Sequence, residues 1–183
     1  MDTDTETAAE IVHTGGVGIF PTDTIYGLVG SALLPETIDR IYDLKQRDTR
    51  KQLLVLISEI SDLEQFGVIL SEELIGELKS YWPGPYSIVL PIIDEQFEYL
   101  HRGHDTIAFR LPDNDELINL LRDTGPLVAP SANPEGMPPA KNLDEARRYF
   151  GTSIDFYVDG GELNNKPSTI LRLGDDGIEI VRE

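Results

Sequence analysis

An α/β domain built on a mixed sheet is the fold class this sequence predicts, and three observations lead to it. Strand-like and helix-like segments alternate early in the chain, while strands cluster late. Hydrophobic residues make up 40% of the 183 positions, so a packed core is possible. A single domain of that length buries roughly two-thirds of the surface its unfolded chain exposes. No internal repeat, low-complexity tract or long linker divides the chain, so one domain spanning 1–183 is expected.

The elements follow in order. Thr5 to Thr14 reads as a helix ended by Gly15-Gly16, and Val17 to Phe20 as a short apolar strand closed by Pro21. Thr22, Asp23, Thr24 and Tyr26 crowd the end of that strand, and Gly27 and Gly30 suggest a turn leading to the next helix. Pro35 fits the first turn of that helix, and Ile38, Ile41 and Tyr42 form one face. The next position on the face is Lys45, where a lysine can snorkel or answer the helix dipole as readily as bind a ligand. Arg47, Arg50 and Lys51 follow, and four cations within seven residues of an acidic chain favour a local anion site.

Leu53 to Ile57 is a continuous apolar strand. Ser61 with Glu64 suggests a capping box for a short helix stopped at Gly67, and Ser71 opens a helix to about Tyr81. Trp82-Pro83-Gly84-Pro85 is a rigid turn before the strand Tyr86 to Leu90, with Trp82 plugging the core edge. After a polar segment comes the strand Thr106 to Leu111, in which Arg110 faces either solvent or a cleft. Facing a cleft, its planar fork suits a carboxylate or phosphate. Asn114 to Arg122 is an amphipathic helix, and the strand Pro126 to Ala129 breaks into a small-residue loop that includes Ser131, Asn133 and Gly136. A helix capped by Asn142 runs through Phe150, and the strands Ile154 to Val158, Ser168 to Leu173 and Ile178 to Arg182 finish the chain.

Charge and residue counts exclude several functions. Fifteen cations against 33 acids give a net charge of −18, which opposes broad binding to a nucleic-acid backbone. With no cysteine there is no disulfide, thiol nucleophile or thiolate metal site. No segment is long and apolar enough to span a membrane, and the acidic first ten residues lack a signal-peptide core, so a cytoplasmic protein is expected. There is no P-loop, and Gly15-Gly16-Val17-Gly18 precedes a strand where a dinucleotide fingerprint needs a helix. His101 and His104 suggest a solvated pair rather than a metal site, and Ser131 has no histidine base nearby.

Six stretches in order resemble the YrdC family: Phe20-Pro-Thr-Asp-Thr-Ile-Tyr-Gly27, Ile41-Tyr-Asp-Leu-Lys-Gln-Arg47, Trp82-Pro-Gly-Pro85, Ile107-Ala-Phe-Arg110, Pro130-Ser-Ala-Asn133 and Pro167-Ser-Thr-Ile170. The family's Lys-x-Arg and Ser-x-Asn motifs are both complete, at Lys45/Arg47 and Ser131/Asn133. The resemblance implies a twisted mixed sheet flanked by helices, with a concave anion-binding cleft. It also implies synthesis of threonylcarbamoyl-AMP from L-threonine, bicarbonate and ATP with Mg²⁺, and no tightly bound cofactor or resident metal. Lys45 and Arg47 would be catalytic and hold the triphosphate; Thr22, Arg110 and Ser168 would bind threonine; Ser131, Asn133 and Arg182 would join Lys45 and Arg47 on the nucleotide. A separate tRNA-modifying transferase would consume the product, with weak or no tRNA binding by this chain.

The chain departs from the family pattern at four places. Asp48 stands where proline usually follows Lys-x-Arg, and Lys51-Gln52-Leu53 replaces the usual Asn/Lys-Pro/Gly-Leu. Leu56 stands where longer relatives often have histidine, and Glu135 replaces a serine. The competing expectation is an RNA-binding module of the same fold, which the charge of −18 disfavours. A domain detached from a larger carbamoyl-transfer protein is a third, weakened by the lack of acylphosphatase or zinc-finger segments.

Overall fold

The computed structural model describes residues 2–174 and 177–182. Its helices are α1 (Thr5–His13), α2 (Pro35–Lys45), α3 (Glu72–Leu78), α4 (Glu98–His101), α5 (Asp115–Thr124) and α6 (Leu143–Phe150). Its strands are β1 (Gly18–Pro21), β2 (Tyr26–Ser31), β3 (Leu54–Leu56), β4 (Tyr86–Pro91), β5 (Thr106–Arg110), β6 (Leu127–Val128), β7 (Phe156–Tyr157), β8 (Thr169–Gly174) and β9 (Gly177–Arg182). Among the described residues these nine strands form one sheet, ordered β7-β1-β2-β6-β3-β5-β4-β8-β9. The pairs β1–β7, β3–β5 and β4–β8 are parallel and the other neighbours antiparallel. The mixed α/β sheet is as expected from the sequence.

Both faces of the sheet are packed, and the period of two sorts the side chains between them. Ile19, Leu28 and Val55 join Ile38, Ile41 and Tyr42 of α2 in one core. Their neighbours Phe20, Val29 and Leu56 join Ala8 and Val12 of α1 and Leu117, Leu120 and Leu121 of α5 in the other. In the first core Phe66 meets Phe97 and Phe109 with ring centroids 5.0 Å apart, contacts worth ~1 kcal/mol each beyond burial. Trp82 is buried, and its indole N–H donates to the Tyr86 carbonyl at 2.7 Å. The side chains of Ser71, Asn114 and Asn142 cap α3, α5 and α6 by accepting from Leu74, Leu117 and Glu145 amides.

Three expectations need correction. Residues 26–31 form β2, not a turn, because all six positions are buried and the strand is paired on both sides. Gly30 is there for close approach: a Cβ would lie 2.6 Å from Thr37 Cγ2 of the helix packed above it. The short helix before Gly67 is a 3₁₀ segment, Ile60–Phe66, capped by Glu59 and Asp62 rather than by Ser61 and Glu64. Asp62 serves better because its carboxylate also accepts from the Ser58 amide and hydroxyl, each at 2.8 Å. His101 is buried at the end of α4 rather than solvated, and its Nδ1 accepts from the Gly103 amide at 3.2 Å.

Candidate active site

The helices leave part of the sheet uncovered, and there the strands floor a cavity of about 500 Å³. Its lining follows strand alternation: Leu54 and Leu56 from β3, Ala108 and Arg110 from β5, Ser87 and Val89 from β4, Ile170 and Arg172 from β8. The intervening residues Val55, Phe109, Ile88 and Leu171 belong to the core beneath. The small side chains of Ser87 and Ala108 leave room above the middle of this floor. The volume suits a small-molecule site.

Arg110 ends the floor strand β5 and is 2% exposed. Nη1 donates to Thr24 Oγ1 at 3.0 Å, and Nη2 donates to the Asp23 carboxylate, itself nearly buried. Among the described residues Nε has no partner. Burial lowers the guanidinium's pKa, with Asp23 opposing the shift, and arginine stays charged throughout. Thr22 sits beside this pair: its hydroxyl donates to the Ile25 carbonyl at 2.7 Å and lies 3.0 Å from Thr24 Oγ1. The polar run after β1 thus folds into a tight turn that presents Thr22 and Thr24 to the cavity and Asp23 to Arg110.

At the other end α2 delivers its motif. Gln46 caps the helix in the left-handed region, φ 50°, and the Arg47 amide donates back to the Tyr42 carbonyl at 3.0 Å. This reversal separates the two cations. Lys45, 1% exposed, ends the apolar stripe behind the cavity wall, where Nζ donates to the carbonyls of Ser131 and, at 2.7 Å, Asn133. Burial, and next the charge of Arg47, push its pKa down to about 7, with Glu135 opposing. Arg47 reaches the cavity, with Nε donating to the Lys51 carbonyl at 3.3 Å and Nη2 to that of Gln52 at 3.1 Å.

Six of the eight residues singled out from the sequence therefore line one cavity: Thr22, Arg47, Arg110, Ser131, Ser168 and Arg182. Ser131 is held by a bridge to Gly27 of β2. The Ser168 hydroxyl meets that of Ser87 at 2.8 Å, and the Arg182 guanidinium donates to the Ser168 carbonyl at 3.3 Å. Lys45 and Asn133 stand behind the wall, the latter with its amide donating to the Pro134 and Met137 carbonyls at 2.9 and 2.7 Å. Sequence reasoning missed Thr24, Ser87 and Arg172. The available signal was a polar residue beside apolar ones in a strand, Ser87 before Ile88 and Arg172 after Leu171. In all, four arginines and no carboxylate line the cavity among the described residues, in a chain of net charge −18. No three His, Asp or Glu side chains among those residues converge as metal ligands.

A family model for Sua5, YciO and YrdC proteins, described as "Telomere recombination", matches residues 10–183. The chain belongs to the Sua5/YciO/YrdC family. It is 34% identical over 169 residues to the threonylcarbamoyl-AMP synthase of Marinobacter nauticus, covering 91% of this chain and 89% of that protein. The crystal structure of Pyrococcus abyssi Sua5 complexed with L-threonine superposes with a TM-score of 0.86 at 30% identity. That match covers 97% of this chain and 53% of the longer Sua5 chain. Escherichia coli YciO superposes with a TM-score of 0.85 at 26% identity, over 98% of this chain and 88% of that one. Membership in the family accords with the mixed sheet and the two complete motifs, and the described residues contain no helix long and apolar enough to cross a membrane.

Proposed function

We propose that this chain is a nucleotidyltransferase that makes L-threonylcarbamoyladenylate and pyrophosphate from L-threonine, bicarbonate and ATP. The observation that carries the reading is the sign of the cavity: four arginines line it and, among the described residues, no carboxylate does, on a protein that is acidic elsewhere. The substrates are a carboxylate, a carbonate and a triphosphate, and their mutual repulsion is the principal obstacle to bringing them together.

Arg110 holds the threonine carboxylate through guanidinium N–H groups that its bonds to Asp23 and Thr24 leave free. Thr22 and the Ser87–Ser168 pair offer hydroxyls for the amino-acid side. The threonine amine bonds to the carbon of bicarbonate, giving up a proton as the carbon–hydroxyl bond breaks and water leaves, and a carbamate results. A carbamate oxygen then attacks the α-phosphorus as the bond to the bridging oxygen breaks, and pyrophosphate leaves with that electron pair. Arg47, with Arg182 and Ser131, holds the phosphates, and Lys45 fixes the Ser131–Asn133 loop through its carbonyls. Mg²⁺ enters with ATP and is held chiefly by the phosphates.

The adenylate then passes to a separate transferase that holds the tRNA, because −18 is the wrong charge for a phosphate backbone. Pyrophosphate release, measured with threonine, bicarbonate, ATP and Mg²⁺ omitted in turn, tests the reaction. Release should require all four, and equal release without threonine would refute it. Saturable tRNA binding at submicromolar protein and physiological salt would instead favour an RNA-binding role.

A further inference from the structure

Two of the positions at which the sequence departs from its family's pattern, Asp48 and Glu135, meet in the structure. Glu135 Oε2 accepts from the backbone N–H of Asp48 at 2.9 Å, a donor that proline would lack, and Oε1 accepts from the Lys51 ammonium. The Glu135 amide donates to the Lys45 carbonyl at 2.7 Å, and Lys45 Nζ donates back to the carbonyls of Ser131 and Asn133. The turn after α2 and the Ser131 loop, far apart in sequence, are thus stitched together behind the cavity wall. Arg47 depends on the same turn, since its guanidinium rests on the carbonyls of Lys51 and Gln52.

We propose that Glu135 is a positioning residue that latches the 48–51 turn to the Ser131 loop and so holds Arg47 in place before ATP arrives. The inference rests on the reading of this end of the cavity as the nucleotide end. Glu135 does not itself line the cavity, and its carboxyl is held below its ordinary pKa by the Lys51 hydrogen bond and then by the Asp48 amide. It remains charged wherever Arg47 works.

Three measurements test the latch, none requiring turnover. Hydrogen exchange at the Asp48 amide should be protected in the full chain and lose protection in Glu135→Ala. Fast exchange in the unsubstituted protein would remove the latch itself. Calorimetric titration should show ATP binding weakened about tenfold in Glu135→Ala, the loss of a charge-assisted contact, with threonine affinity changed less than about twofold. Equal losses for both ligands would indicate a merely structural role, and an unchanged ATP affinity would overturn the proposal. Glu135→Gln, which keeps an acceptor for Asp48 but loses the ion pair, should fall between. Lys51→Ala added to Glu135→Ala should cost at most about twofold more, because both act through one contact. Additive losses would make Lys51 a direct nucleotide ligand and overturn the latch. Lack of pyrophosphate release by the unsubstituted protein would refute the proposed reaction but leave these three results standing.

Discussion

At one end of the cavity Arg110 is almost wholly buried and its charge is matched by Asp23 in the same shell. At the other end Arg47 rests on two backbone carbonyls of a turn that is anchored by a partly exposed ion pair. The difference corresponds to the ligands proposed for each. An amino-acid carboxylate needs one preset fork, and a buried, neutralised arginine provides it without reorganisation. A triphosphate that sheds pyrophosphate needs cations free of competing carboxylates, and carbonyl oxygens hold an arginine without cancelling its charge.

Breaking the buried pair should produce the largest effect. Asp23→Asn leaves Arg110 buried without its counter-charge and is expected to cost about 3–5 kcal/mol in urea unfolding. Lys51→Ala, at the exposed pair, is expected to cost less than ~1 kcal/mol. Similar costs for the two would erase the distinction between the ends. Next, Arg47→Gln should lower turnover by about 10²–10³-fold through lost charge stabilisation, while threonine affinity by titration stays within about twofold. A matching loss of threonine binding would mean that the ends are not separate.

Lys45→Met sharpens the contrast between the two cations of one motif. It removes the donor to two loop carbonyls, at a cost of about 1–3 kcal/mol, and pH should modulate that cost. The folded pKa of about 7 lies below lysine's ordinary value of 10.5, so between those values the unfolded chain binds more protons. Wild-type stability therefore rises with pH across that window, and the Met variant lacks the slope. The melting-temperature gap between them should be wider at pH 9 than at pH 6, and a gap that narrows would refute the depressed pKa. The smallest effect is expected at Gln46, whose left-handed backbone disfavours a side chain. Gln46→Gly should gain about 0.5–1 kcal/mol in urea unfolding, and a loss would mean that the turn needs the stiffness of a side chain.

What could be read from the sequence followed from local rules. The stripe of Ile38, Ile41, Tyr42 and Lys45 is helical geometry, and all four are buried as one face. The alternation around Arg110 offered two outcomes, and only the neighbouring strands decide between them. Residues 26–31 misled because two glycines resemble a turn, yet Gly30 serves the close approach of α2, a contact between elements that no single segment announces. Asp23 as the partner of Arg110, and Glu135 as the partner of Asp48, are likewise tertiary facts. The split between Lys45 and Arg47 depends on one residue's positive φ, for which glutamine gives no warning.

The floor of the cavity is drawn from β3, β5, β4 and β8, and its rim from Thr22 at one extreme of the numbering to Arg182 at the other. No contiguous stretch of chain contains a working fragment of it. Parallel pairings such as β4 with β8 close only after long loops have been brought together, which makes them slow steps in folding. Until β8 docks, the arginines stay dispersed along an acidic chain and cannot sequester nucleotide. Affinity for ATP should therefore emerge late and abruptly during refolding, making nucleotide binding a reporter of the last strand to arrive.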